Sequence, residues 1–391
     1  MRKTNLTRIL IIIFILVLAA LFIFKDSIMP WFFKVQESVG INENGTSLEN
    51  IEEKIKDKGN ENQVDNDQIA TEPDSTLEVI AENLDIPWEL AFLPNGDILV
   101  TERAGNLVNV TTNKIYQIEG VNHTGEGGLL GLALHPNFSE NNYLYLYFTT
   151  KEDNRIERYT LTGEELIKDK LIFSGIPSDR FHNGGRLDFG PDGYLYITTG
   201  DALDTSLAQN LNSLAGKILR LDDEGNIPET NPKNTAIYSY GHRNVQGITW
   251  DDKGRLWATE HGPTSLDEVN LIEAGKNYGW PDISGDEKAD GMESPILHSG
   301  YGYTWAPSGL AYWDNSLFFA GLRGQAIYEV KLNEQGAGEL LIHFSGDFGR
   351  IRNVRLGPDK MFYILTNNTD GRGTLKTGDD KLIKINPQTL R

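Results

Sequence analysis

The chain has 391 residues, no cysteine and a formal charge of −20 at pH 7. Such an acidic body disfavours nucleic acid and anionic lipid as partners. The missing cysteines exclude disulfides and a lipoprotein, whose lipid a cysteine would carry. In chain order, Arg2, Lys3 and Arg8 come first, followed by an uninterrupted apolar run from Ile9 to Phe24 that ends at Lys25-Asp26. At about 1.5 Å per residue this run falls slightly short of a ~30 Å hydrocarbon core, and Ile28-Met-Pro-Trp-Phe-Phe33 adds aromatics suited to the interface. Residues 1–34 are therefore expected to form a single-pass signal anchor in the cell membrane, with the body on the extracytoplasmic face. Secretion after signal cleavage is the alternative, although no clear A-x-A site follows the run. Residues 35–76 are too poor in apolar side chains to offset the entropy of ordering, which predicts a polar linker with a short helix near Leu48 to Lys58. Membrane contact is expected through the N-terminal helix only.

From residue 77 to 391 a different pattern takes over. Six times a Pro/Asp/Gly/Asn punctuation leads into an apolar strand-like run: at Leu93-Pro-Asn-Gly, His135-Pro-Asn-Phe, Gly190-Pro-Asp-Gly, Asp251-Asp-Lys-Gly, Trp313-Asp-Asn-Ser and Gly357-Pro-Asp-Lys. Pro presets φ in such turns, while Gly and Asn permit φ > 0, and the runs that follow alternate as strands do. Their spacing of 42 to 62 residues suits a four-stranded blade with variable loops. The expected fold is all-β, one six-bladed β-propeller, with a loop from each blade at a common mouth.

Several polar segments exceed what folding needs. His182, in Arg180-Phe-His-Asn-Gly-Gly-Arg186, and Asp201, in Thr199-Gly-Asp201, flank one strand. A histidine removes protons well near neutral pH, and a carboxylate fixes its tautomer. Arg243 and Asn244 offer a planar cation and a carboxamide for a carbonyl or a planar ligand. Gly262-Pro263 exposes loop carbonyls with Glu268 nearby, oxygen ligands of the kind Ca²⁺ takes. Arg350 and Arg352, two apart on a predicted strand, should share a face and, with Arg323, suit several carboxylates or phosphates. Trp305 brings an aromatic plane in a Gly- and Pro-bearing loop. Turn-capping histidines, interblade salt bridges and a core tryptophan are the structural alternatives. No G-x-S-x-G, HExxH, CxxC, Walker A or Rossmann pattern is present.

Taken in order, these segments resemble the glucose/sorbosone dehydrogenase family, the PQQ-dependent aldose sugar dehydrogenases. The resemblance runs from Leu84-Asp-Ile-Pro-Trp-Glu to Lys381-Leu-Ile-Lys-Ile. It includes Glu126-Gly-Gly-Leu-Leu-Gly, His182-Asn-Gly-Gly, Thr199-Gly-Asp201, Gly241-His-Arg-Asn244, His261-Gly-Pro263, Asn277-Tyr-Gly-Trp-Pro281 and Gly349-Arg-Ile-Arg352. It implies oxidation of an aldose at its C1 hydroxyl to the lactone by hydride transfer to PQQ, with His182 as general base supported by Asp201. Arg243 matches the arginine that polarises the quinone, and Asn244 its companion contact. Arg323, Arg350 and Arg352 match the cations on the cofactor's carboxylates, and Trp305 the aromatic against the quinone face. Gly262 and Pro263 match carbonyl ligands of a bridging Ca²⁺; Glu268 and Tyr278 match a second, structural calcium site.

The sequence departs from the glucose enzymes on the substrate side, where Phe181 replaces an acid and Glu126 an amide. The loops after Pro263 and around Trp305 are short, as in the compact aldose dehydrogenases. The partners implied are an aldose and an external electron acceptor of unspecified identity. A calcium-dependent propeller lactonase and a non-catalytic cell-surface binding propeller are the alternatives.

Overall fold

The computed structural model describes residues 77–390, apart from 164 and 335. The expected anchor over 1–34, the linker over 35–76 and the short helix near Leu48–Lys58 lie outside the described residues. Among those described, no helix is long and apolar enough to cross a membrane.

The body is a six-bladed propeller of four-stranded antiparallel sheets. Blades 1 to 5 occupy residues 87–117, 129–176, 187–240, 245–298 and 307–343, each with its strands paired in chain order. Blade 6 combines Ile351–Leu356, Phe362–Thr366 and Leu382–Ile385 with an outer strand from the opposite end of the body. That strand, Leu77–Ala81, pairs antiparallel with Leu382–Ile385, Leu77 opposite Ile385. The innermost strands of blades 1 and 6 touch and close the ring.

Each punctuation turn joins the first and second strands of its blade, as residues 93–97 join Pro87–Phe92 to Ile98–Glu102. Because strand direction alternates, these turns lie on one face of the ring. The crossovers between blades and the loops between second and third strands lie on the other. The residues that mark the repeat and the residues singled out for chemistry thus occupy opposite faces.

In blades 1, 2, 4, 5 and 6 the pairing of first and second strands slips near the start of the first strand. Such bulges re-aim side chains at barrel and propeller rims. Here they carry Glu89, Gln246, Ser308 and Arg352, all buried. Arg352 donates to Gln246 Oε1 at 2.8 Å and Ser308 Oγ at 3.4 Å, and Asn353 donates to Glu89 at 2.5 Å, so the bulges aim polar groups at the axis. The backbones crowd there as well: a Cβ on Gly247 would sit 2.3 Å from Ser308 O.

Lys217 is wholly buried, and its ammonium donates to the carbonyls of Leu207, Ala208 and Ala215 at 2.8, 2.9 and 2.6 Å. It pins the loop that begins with Asp201. Lys217→Met keeps the volume but strands three carbonyls, so the urea midpoint should drop by the equivalent of roughly 3 kcal/mol. An unchanged midpoint would mean that those carbonyls find other partners.

Candidate active site

Loops from five blades meet at a cavity of about 350 Å³ on the crossover face. His182, on the crossover into blade 3, stands on one wall with a left-handed backbone, φ 58°. Its Nδ1 lies 2.7 Å from Oδ1 of the fully buried Asp201. An ionised carboxylate only accepts, so Nδ1 carries the hydrogen and Nε2 presents a lone pair. Asp201 is itself held: Trp280 Nε1 donates to Oδ2 at 2.9 Å and the Leu203 amide to Oδ1 at 3.0 Å. The geometry is that of a general base with its orienting carboxylate.

Arg243 lies beside this pair, its guanidinium 5.4 Å from the Trp280 ring and bonded to His261 O at 3.3 Å. Its amide donates to Glu260, and its carbonyl accepts from the Asp201 amide at 2.8 Å. Asn244 accepts from the Gly184 amide at 3.0 Å, which ties it to the loop of His182. His182, Asp201, Arg243 and Asn244 are therefore joined in one hydrogen-bonded network.

Arg350 and Arg352 line the opposite wall, with Arg323 exposed at its edge. Arg350 precedes its strand and Arg352 sits in the bulge, so their common orientation comes from that bulge rather than from simple strand alternation. Burial, and then the Arg103 and Arg350 cations, pull the Arg352 guanidinium down to about 9. Buried Arg350 Nε, Asn367 Nδ2 and His261 Nε2 have no partner within the protein. The under-compensated Arg352 guanidinium and the unmet nitrogens of Arg350 and His261 around one cavity fit a polyanionic ligand such as PQQ.

Gly262 and Pro263 also line the cavity. A Cβ on Gly262 would fall 2.0 Å from Ser265 O, so only glycine fits this turn. Asp267 shapes it by accepting from Gly262 N at 2.8 Å, Thr304 Oγ1 at 2.7 Å, Trp305 N at 2.6 Å and Ala306 N at 2.9 Å. Among the described residues, no three His, Cys, Asp or Glu side chains group to hold a metal. A cation here would rest on loop carbonyls and on the ligand. Behind the cavity, Glu268 faces Glu260 across the strand pair. Burial, and then Glu260, push the Glu268 carboxyl up to about 8.

A glucose/sorbosone dehydrogenase family model matches residues 84–377. The chain belongs to the glucose/sorbosone dehydrogenase family. The aldose sugar dehydrogenase YliI of Escherichia coli is 33% identical over 356 residues, covering 80% of this chain and 93% of that protein. Quinoprotein glucose dehydrogenase B of Acinetobacter calcoaceticus is 37% identical over 250 residues, 53% of this chain and 52% of the relative. Among solved structures, the PQQ-bound aldose sugar dehydrogenase of Streptomyces coelicolor superposes with a TM-score of 0.74 at 41% identity, covering 79% of this chain and 97% of that one.

Of the positions taken from the family's motifs, Glu126, His182, Arg243, Asn244, Gly262, Pro263, Arg323, Arg350 and Arg352 all line the cavity. Asp201 backs His182. Trp305 does not line the cavity: its indole is buried with Phe319 and Tyr328, 5.1 and 5.6 Å between ring centroids, while Thr304 and Ala306 on either side form the wall. Alternation along the loop turns the tryptophan toward the blade core, so it offers no plane to the cavity. Tyr278 is likewise buried, its hydroxyl donating to Leu271 O at 2.6 Å and its ring stacked on His242 at 4.8 Å. What it can offer a cation is its backbone carbonyl. Phe181 stands at the rim under the guanidinium groups of Arg180 and Arg372, at 5.5 and 5.4 Å.

The family motifs also held residues that sequence reasoning passed over. His261 precedes Gly262 and lines the cavity; burial pulls its imidazole down to about 4, so it is neutral at pH 7. Gln246 closes the Arg243-Asn-Val-Gln segment, and Asp267 opens Asp267-Glu-Val-Asn270. Arg372, in Gly371-Arg-Gly373, lay in no motif, yet it reaches Glu126 Oε1 at 2.8 Å across the seam between blades 6 and 1. Burial alone would raise the Glu126 carboxyl, but the Arg372 hydrogen bond and the neighbouring cations bring it down to about 2.

Proposed function

We propose that this protein oxidises the C1 hydroxyl of an aldose to the lactone, with PQQ as cofactor. The observation that carries the reading is the His182–Asp201 pair in one cavity with Arg323, Arg350 and Arg352, of which buried Arg352 has only neutral partners. When bound, PQQ supplies the two-electron hydride acceptor. Arg323, Arg350 and Arg352 would hold its carboxylates, and Arg243 and Asn244 its polar edge.

His182 Nε2 takes the proton of the C1 hydroxyl. Asp201 keeps the imidazole in the tautomer that can do so and stabilises the imidazolium that results. Arg243, fixed against Trp280, holds positive charge where negative charge develops. A lactonase mouth would be rich in carboxylates and amides, whereas five arginines, Arg243, Arg323, Arg350, Arg352 and Arg372, line this one. The apolar run at Ile9–Phe24 supports an anchored body outside the cytoplasmic membrane.

The proposal includes two calcium ions, one on the Gly262 and Pro263 carbonyls and one at Glu268 with Tyr278. Purified protein loaded with PQQ and Ca²⁺ should reduce a dye with aldoses, and extensive chelation should abolish this. Turnover unaffected by chelation would remove the bridging metal; no turnover with any sugar would overturn the function. The second ion has a separate signature. Glu268 titrates higher folded than unfolded, so the metal-free protein loses stability as pH rises from about 4.5 toward 8. Ca²⁺ should cancel that loss, raising Tm by more at pH 8 than at pH 5. An equal increment at both values would remove Glu268 from the site.

A further inference from the structure

The rim beside His182 carries a group of side chains that the cofactor reading leaves unused. Glu126, on the crossover from blade 1 to blade 2, is fastened at both carboxylate oxygens. Oε1 accepts from Arg372 at 2.8 Å, and Oε2 faces the His182 amide at 3.4 Å. Its own amide donates to Arg180 O at 2.6 Å, and Arg103 grips the carbonyls of Gly125 and Gly127 on either side. Arg372 comes from blade 6, the neighbour of blade 1 across the closing seam, on the loop between Phe362–Thr366 and Leu382–Ile385. It lies against the Phe181 ring and remains half-exposed.

Exposed ion pairs contribute little to stability, commonly about 0–1 kcal/mol, so the reach of half-exposed Arg372 to Glu126 is poorly explained by folding alone. Its geometric effect is clear: it fixes a carboxylate that lines the cavity beside His182. A fixed carboxylate accepts hydroxyl hydrogens. That suits an uncharged polyol, while a carboxylate on the sugar would meet Glu126 as a like charge.

We propose that Arg372 is the positioning residue of the sugar subsite, holding Glu126 against His182 so that neutral aldoses are selected over uronic acids. The proposal rests on the aldose dehydrogenase reading and adds to it a residue and a substrate class. Arg372 acts through Glu126 and does not touch the sugar.

The test uses PQQ- and Ca²⁺-loaded full-length protein as wild type, Glu126→Gln, Arg372→Ala, Arg372→Lys and the Glu126→Gln/Arg372→Ala double variant. Glucose and glucuronate are the probes. Each of Glu126→Gln and Arg372→Ala should raise KM for glucose about tenfold, the scale of one charge-assisted hydrogen bond, with kcat within about threefold. Arg372→Lys should recover most of the loss, and the double variant should be no worse than Glu126→Gln alone. Wild type should prefer glucose, and Glu126→Gln should narrow that preference. Additive losses would show that Arg372 binds sugar directly, and an unchanged KM in a folded Arg372→Ala would show no role; either overturns the proposal.

Calorimetric titration of glucose into holoprotein reduced beforehand reads binding without turnover. Wild type that binds glucose but never oxidises it sinks the dehydrogenase function, while the Arg372 effect on affinity still decides this inference. Wild type that binds no sugar in this titration overturns it.

Discussion

Replacing His182 should lower aldose turnover by roughly 10²–10⁴-fold while PQQ stays bound, the usual scale for loss of a general base. Asparagine is the better replacement, because His182 has φ 58° and asparagine tolerates the left-handed region more readily than alanine does. The neighbourhood should survive the change. Asp201 keeps its bonds from Trp280 and Leu203, and Asn244 keeps Gly184. The cofactor wall lies across the cavity and shares no hydrogen bond with the imidazole. The measurement is kcat at saturating sugar beside a PQQ absorbance titration. Near-normal kcat with full cofactor occupancy would remove His182 from the proton transfer.

Removing Arg350 and Arg352 together should raise the PQQ Kd by roughly two to four powers of ten, given about 1.5–3 kcal/mol for each charge-assisted bond. The two arginines differ in what they do for the empty protein. Arg350 pairs at 2.9 Å with Asp370, whose side chain is almost fully covered, so its loss strands a carboxylate and should also lower Tm. Arg352 is crowded by Arg103 and Arg350 and has only neutral acceptors, Asn367 and Gln246. Arg352→Ala relieves the like-charge crowding but strands neutral acceptors, so it should weaken PQQ binding with a smaller drop in apoprotein Tm than Arg350→Ala causes. A structural ion-pair role predicts the reverse, lower Tm with unchanged PQQ affinity. Unchanged affinity in the folded double variant would take both arginines out of the site and weaken the quinoprotein reading as a whole.

The six blades were legible because the signal is local and repeated. Each Pro/Asp/Gly turn at the end of a first strand announces one sheet, whatever the loops on the opposite face contain. The cavity wall was legible where chemistry is concentrated in short segments, as at His182 and at Gly262-Pro263. Trp305 shows the limit. Whether a loop side chain faces cavity or core depends on which neighbours leave room, and Phe319 and Tyr328 of the same blade make that room. Arg350 and Arg352 do meet on one wall as expected, but through a bulge that no period-two argument contains. Arg372 left no trace in the sequence, because its partner Glu126 is brought to it only when the ring closes.

That closure also sets an order of events. Strand Leu77–Ala81 is made at the start of the body, and its partner Leu382–Ile385 at the very end, roughly 300 residues later. Throughout synthesis the early strand therefore has no native neighbour at its pairing edge, the kind of edge that invites association with other chains. Arg350, Arg352 and Arg372 also arrive last, so the wall proposed for the cofactor is completed only as the seam is zipped. A ligand gripping both the His182 side and the blade 6 side would then act as a clasp across the join. By mass action its concentration would govern how often the ring springs open.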